Sequence, residues 1–157
     1  MKDELNDYLY RGARNMVLLH EMHMRSFLQT WNRAKDSGLS LPETDDPDYE
    51  SMETLLRHVL GAARSYMTWM CEKLDLPDPE IDPVPDLDTI IPSADSYLDH
   101  LLRQWRSPLK NVPTELFGNV TYTSRWGIDY CVDAMLEHAV MHPIRHQFQL
   151  EEMMEEK

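Results

Sequence analysis

The chain has 157 residues, 42% of them hydrophobic, which points to a single domain over 1–157 with its own core and no need of disulfide staples. Its formal net charge is −13, from 28 acidic and 15 basic side chains, a surface that repels phosphate backbones and anionic lipid heads. Nucleic acid and membrane surfaces are thereby disfavoured as partners, and no apolar run reaches the roughly 18 residues needed to span a bilayer.

A first helix is expected from about Asp3 to Lys35, with Leu5, Leu9, Gly12, Met16, Leu19, His23 and Phe27 along one stripe. SGLSLPETDDPDYE follows and reads as a loop, because Gly, Pro and Asp break the period. A second helix is expected from about Glu50 to Leu74, with an apolar face of Met52, Leu55, Leu56, Val59, Ala62, Ala63, Tyr66 and Met70. It ends before LPDPEIDPVPDLDTIIP, whose five prolines suit neither a helix nor a central strand.

Pro92-Ser93 reads as the start of a third helix, with Ser93 as N-cap and Asp95 at the positive end of the dipole. Tyr97, Leu98, Leu101, Leu102 and Trp105 give its buried side, and Ser107-Pro108 ends it. Residues 109–126 are mixed, and VTYT suggests a short extended piece. The fourth helix is expected from about Gly127 to Glu155, with a frayed acidic end. Four helices with long connections point to an all-α four-helix bundle rather than any sheet fold.

Cys71 and Cys131 are far apart and form no C-x-x-C pair, so they suggest neither a disulfide framework nor a thiolate zinc site. With a charged start, MKDELNDYLY, where a signal peptide would be apolar, they point to the cytoplasm. Trp31, Trp69, Trp105 and Trp126 and the eleven methionines read mostly as core and dimer packing.

The seven histidines sort by helical position. The apolar stripe of the fourth helix contains Ile128, Val132, Met135, Ala139, Leu150 and Met153, and His142 and His146 fall inside it, four residues apart. Burying a polar ring without a partner costs roughly 1–3 kcal/mol. A shared metal ion would meet that demand for both rings. Two core histidines bonded to groups on neighbouring helices would also meet it. His58 lies at the edge of the second helix's apolar face, as an inter-helix ligand or a half-exposed boundary residue. His138, one turn before His142, is a candidate alternative ligand or a group behind the ligands. His20 and His23 fall on the buried side of the first helix, and His100 on the polar side of the third.

A second-helix histidine in LLRHVLGAARSYMTWM, followed by a last helix reading AVMHPIRHQFQLEEM, resembles the DinB-like superfamily. The resemblance covers nearly the whole chain and rests on the order and spacing of the parts. It implies an up-down-down-up four-helix bundle, often a homodimer. It also implies a divalent metal, zinc or nickel in many members, held by His58, His142 and His146 and followed here by Gln147 and Gln149. Relatives implied by it include thiol S-transferases and thiol-dependent isomerases. The chain departs from the usual pattern at Pro143, directly after His142, where it frees the Ala139 carbonyl and can change the angle between the two rings.

The expected activity is then a metal-dependent transferase or hydrolase, in which the metal activates water or a low-molecular-weight thiol against a small electrophile. His138 or Glu137 would serve as base or orienter. The alternative is a metal-binding or stress-linked bundle without catalysis, and a further one is a bundle with no metal. A ferritin-like di-iron site is set aside, since no Glu is followed three residues later by His.

Overall fold

The computed structural model describes residues 5–156. The chain is all-α apart from one small hairpin. Four long helices carry most of it: α1 (Arg11–Asp36), α2 (Met52–Lys73), α3 (Ile90–Trp105) and α5 (Val132–Glu155). A 3-10 turn (Pro47–Tyr49) precedes α2. A short helix α4 (Glu115–Gly118) and the strands β1 (Tyr122–Thr123) and β2 (Asp129–Tyr130) lie before α5. The strands pair antiparallel, Tyr122 opposite Tyr130. Among the described residues, no helix is long and apolar enough to cross a membrane.

Helix α1 packs along α5, while α2 contacts both α5 and α3, so one core runs between the four. Three buried tryptophans tie the layers by their indole N–H groups. Trp31 on α1 donates to the Met52 carbonyl (2.7 Å), Trp105 on α3 to Ala63 (3.0 Å), and Trp69 on α2 to Thr123 of the hairpin (3.2 Å). Each ring thus buries its apolar body without orphaning its donor. Trp126 differs from this expected role: it is 44% exposed, on the hairpin turn.

The first helix starts later than its periodicity suggests. Asp3 lies outside the described residues, and Leu5–Asp7 form a separate turn. The Leu9 amide donates to the Lys110 carbonyl at 3.1 Å, which commits that backbone outside a helix and leaves the side chain 61% exposed. Leu19 is exposed as well.

Ser51 caps α2 by accepting from the Thr54 amide, and Asp75 ends it in the left-handed region at φ 52. The proline-rich connection then lies over α2 and α3. Arg57 Nε donates to Pro85, Arg64 Nε to Ile81, and the Tyr97 hydroxyl to Asp82.

Ser93 is not the cap of α3. That helix begins at Ile90, so Pro92 and Ser93 lie in its first turn, where an amide has no intrahelical acceptor to lose. His100, expected to be solvated, is half-buried, and its Nε2 accepts from the Asp82 amide at 3.0 Å.

The last helix begins at Val132, not Gly127, because the hairpin takes the preceding residues. Ile128 sits there with its carbonyl accepting from the Ser124 amide (2.8 Å) and its side chain 55% exposed. Cys131 caps α5, its Sγ accepting from the Ala134 amide. Helix α5 continues through the buried Pro143 without ending.

Candidate metal centre

Three histidine rings from two helices meet between α2 and α5. His58 projects from α2, and His142 and His146 project from successive turns of α5. Their ligand nitrogens all lie within 4.8 Å of one another. His58 Nε2 is 2.9 Å from His142 Nε2, and His146 Nε2 is 3.3 Å from the same atom. His142 and His146 are buried and His58 is half-buried, so His58 is the most accessible of the three.

The outward nitrogens of His58 and His146 are held by polar groups. Asp48 Oδ2, on the 3-10 turn, lies 3.2 Å from His58 Nδ1. Gln149 Oε1, one turn after His146, lies 3.0 Å from His146 Nδ1, and the Tyr49 hydroxyl reaches the same nitrogen at 3.0 Å. A carboxylate and an amide oxygen can only accept, so both Nδ1 atoms carry protons. The Nε2 atoms of His58 and His146 therefore present lone pairs toward His142.

That arrangement can be tested against a metal. Nitrogens about 2.0–2.1 Å from one ion stand about 3.3 Å apart at a tetrahedral angle and about 2.9 Å apart at a right angle. The observed 2.9 and 3.3 Å fall on those values. Without a cation, one proton on His142 Nε2 can serve only one of the two facing lone pairs well. A divalent ion serves all three nitrogens at once.

Burial keeps His142 and His146 neutral, as ligands must be. Burial pushes the His142 pKa down to about 2, helped by neighbouring His146 and His58. Burial also lowers His146, to about 4, with His58 adding to it and the Gln149 hydrogen bond opposing.

The remaining sequence candidates are elsewhere. His138 is outside the three-ring group. It stacks on Trp126 at 5.2 Å and meets the ring edges of Tyr66 and Tyr130, and burial lowers its pKa. Glu137 is exposed on α5. His20 is fully buried against Trp105, and His23 is half-buried. Neither belongs to a group of potential ligands among the described residues. Burial raises the Cys71 thiol to about 11, which removes it as a nucleophile.

Asp48 and Tyr49 were not singled out by sequence. Their one local signal is the Asp-Pro-Asp-Tyr string in an otherwise acidic loop, where Asp46 accepts from the Asp48 amide and Pro47 opens the turn.

A cleft of about 490 Å³ adjoins His58. Tyr66 on α2, Val84 and Leu87 of the proline-rich connection, and Trp126 of the hairpin line it.

Comparison with protein-family models, with curated proteins and with solved structures gives no match.

Proposed function

We propose that His58, His142 and His146 bind one divalent metal, zinc or nickel, and that the chain is a metal-dependent transferase or hydrolase of DinB-like, up-down-down-up four-helix architecture. The observation that carries the metal reading is the convergence of three Nε2 atoms, with the opposite nitrogen of His58 held by Asp48 and that of His146 by Gln149 and Tyr49. The order of the parts supports the architecture: a histidine on the second long helix, two on the last, and long connections between.

Three protein ligands leave a coordination position for an exogenous group, the pattern of reactive rather than structural sites. A metal so held supplies a water or thiol that is deprotonated near neutral pH. The chain's own part is to hold the rings. Asp48 fixes the tautomer and orientation of His58, and Gln149 does so for His146. The cleft beside His58 favours reaction with a small electrophile over a sealed, non-catalytic metal bundle. A low-molecular-weight thiol is the co-substrate that the family resemblance implies, and the buried Cys71 cannot take its place. Both cysteines of the chain are unpaired, which favours the cytoplasm. Homodimerisation would cover exposed apolar side chains such as Leu19, Met22, Met141 and Phe148, and sedimentation would read it directly.

The deciding experiment is metal analysis of gently purified protein beside His58→Ala, His142→Ala and His146→Ala. A metal ratio near one per chain that collapses in all three variants is expected. Protein that is folded and metal-free, and stays so when zinc or nickel is added, overturns the reading.

A further inference from the structure

Tyr66 is only 6% exposed, and its hydroxyl makes no hydrogen bond with any described residue. Tyr8, Tyr10, Tyr49 and Tyr97 each donate to a protein oxygen, whereas Tyr122 and Tyr130, packed at the edge of the core, share with Tyr66 a hydroxyl that bonds no described residue. The Tyr66 oxygen reaches solvent, so the hydroxyl is a donor open to an acceptor from outside the chain. The Tyr66 oxygen is not sealed among the fully enclosed unpaired atoms, and the space that Tyr66 lines is the cleft beside His58.

The rest of that cleft is mostly apolar and partly aromatic. Trp126 stands edge-on to Tyr66, with ring centres 6.3 Å apart, and stacks on His138 at 5.2 Å. Val84, Leu87 and Ala62 add aliphatic surface. His58 is the point at which the cleft meets the three-histidine group, and Tyr66 also meets the edge of His142, at 5.8 Å. A hydroxyl donor open to the cleft, an aromatic wall and the His58 ligand ring thus face one space.

We propose that this cleft is the substrate subsite of the three-histidine centre, and that it takes a small planar aromatic group carrying a carbonyl-type oxygen. Trp126, Val84 and Leu87 contact the plane, and the Tyr66 hydroxyl donates to the oxygen. The proposal rests on the metal reading above.

The test titrates zinc-loaded protein with benzohydroxamate and acetohydroxamate, which share a metal-binding head and differ in the aromatic ring. Benzohydroxamate binds about tenfold or more tighter, as expected for burying the larger apolar group. Trp126→Ala, a change at an exposed position, removes most of that preference and leaves acetohydroxamate unchanged. Tyr66→Phe weakens both about two- to tenfold while the zinc ratio stays near one, as expected for losing one hydrogen bond. Equal affinities, or binding of neither, in protein holding one zinc per chain overturn the subsite and leave the metal reading standing. A preference that survives Trp126→Ala removes the aromatic wall, and unchanged affinities in Tyr66→Phe remove the donor. Protein that binds no zinc overturns the metal reading and the subsite with it.

Discussion

Asp48 Oδ2 lies 3.2 Å from Nδ1 of His58 and so fixes, from the connection between α1 and α2, a ring that belongs to α2. Groups that orient metal-bound histidines are commonly worth about 10–100-fold in metal affinity. Asp48→Ala should weaken zinc binding by about that factor with the fold intact, measured by competition with a chromophoric chelator. Tyr49→Phe should cost much less, because Gln149 still accepts from His146. Unchanged affinity in Asp48→Ala would mean that the carboxylate does not act on the site.

Acid should unfold the metal-free protein. The pKa values of His20, His142 and His146 in the fold are pushed from 6.5 down to about 3, 2 and 4, by burial first in each case. The unfolded chain therefore binds more protons than the folded one below about pH 6.5, and lowering the pH favours unfolding. The contribution is intact above pH 6.5 and drains away as pH falls toward the folded values. One such histidine gives a slope approaching about 1.4 kcal/mol per pH unit. Melting temperatures in chelator should fall steadily from pH 7 to pH 4.5, and a flat profile would contradict these pKa directions.

His20 is a stability cost within the core. It is fully buried, stacks on Trp105 with ring centres 3.7 Å apart, and neither ring nitrogen has a hydrogen-bond partner among the described residues. The unpaired polar atoms cost about 1–3 kcal/mol, against about 0.5–1.5 kcal/mol gained from the ring stack. His20→Leu should raise stability by about 1 kcal/mol in urea unfolding and flatten the acid slope. Destabilisation by this change would show that the nitrogens find a partner in solution.

Gly61 sits in the middle of α2 and lines the cleft. A Cβ there meets only Val84 Cγ1, at 3.7 Å, an ordinary contact. Gly61→Ala should therefore stabilise the protein by about 0.5–1 kcal/mol through helix propensity alone. Zinc stoichiometry should not change. A lower melting temperature would indicate that the proline-rich connection packs more tightly on α2 than this spacing implies.

Residues on helices were the legible ones. His142 and His146 follow from a 3.6-residue period because α5 carries both on its buried face. His58 sits at the edge of its stripe, so periodicity left it undecided, and only the family resemblance suggested it as a ligand. The same period misled where a connection happened to continue it. Leu9 and Ile128 extend the stripes of α1 and α5 by spacing, but backbone bonds to Lys110 and Ser124 hold them outside the helices. Asp48 and Tyr49 were illegible because their partners are remote. Tyr49 meets a ring 97 residues further along the chain, and no local pattern encodes that. Tyr66 was legible as apolar surface, whereas its unpaired hydroxyl depends on what three other segments leave open beside it.

The turn that carries Asp48 and Tyr49 grips one histidine on each of the two helices that build the site. Exposed residues 42–47 lead directly into it. Cleavage there would leave all three histidines in place on their helices and still free the turn that holds His58 and His146. If those histidines hold a metal as proposed, an endoprotease acting on this one surface segment would release it without unfolding the helices. The ion, once bound, would in turn clasp the segment against α2 and α5 and withdraw it from the protease.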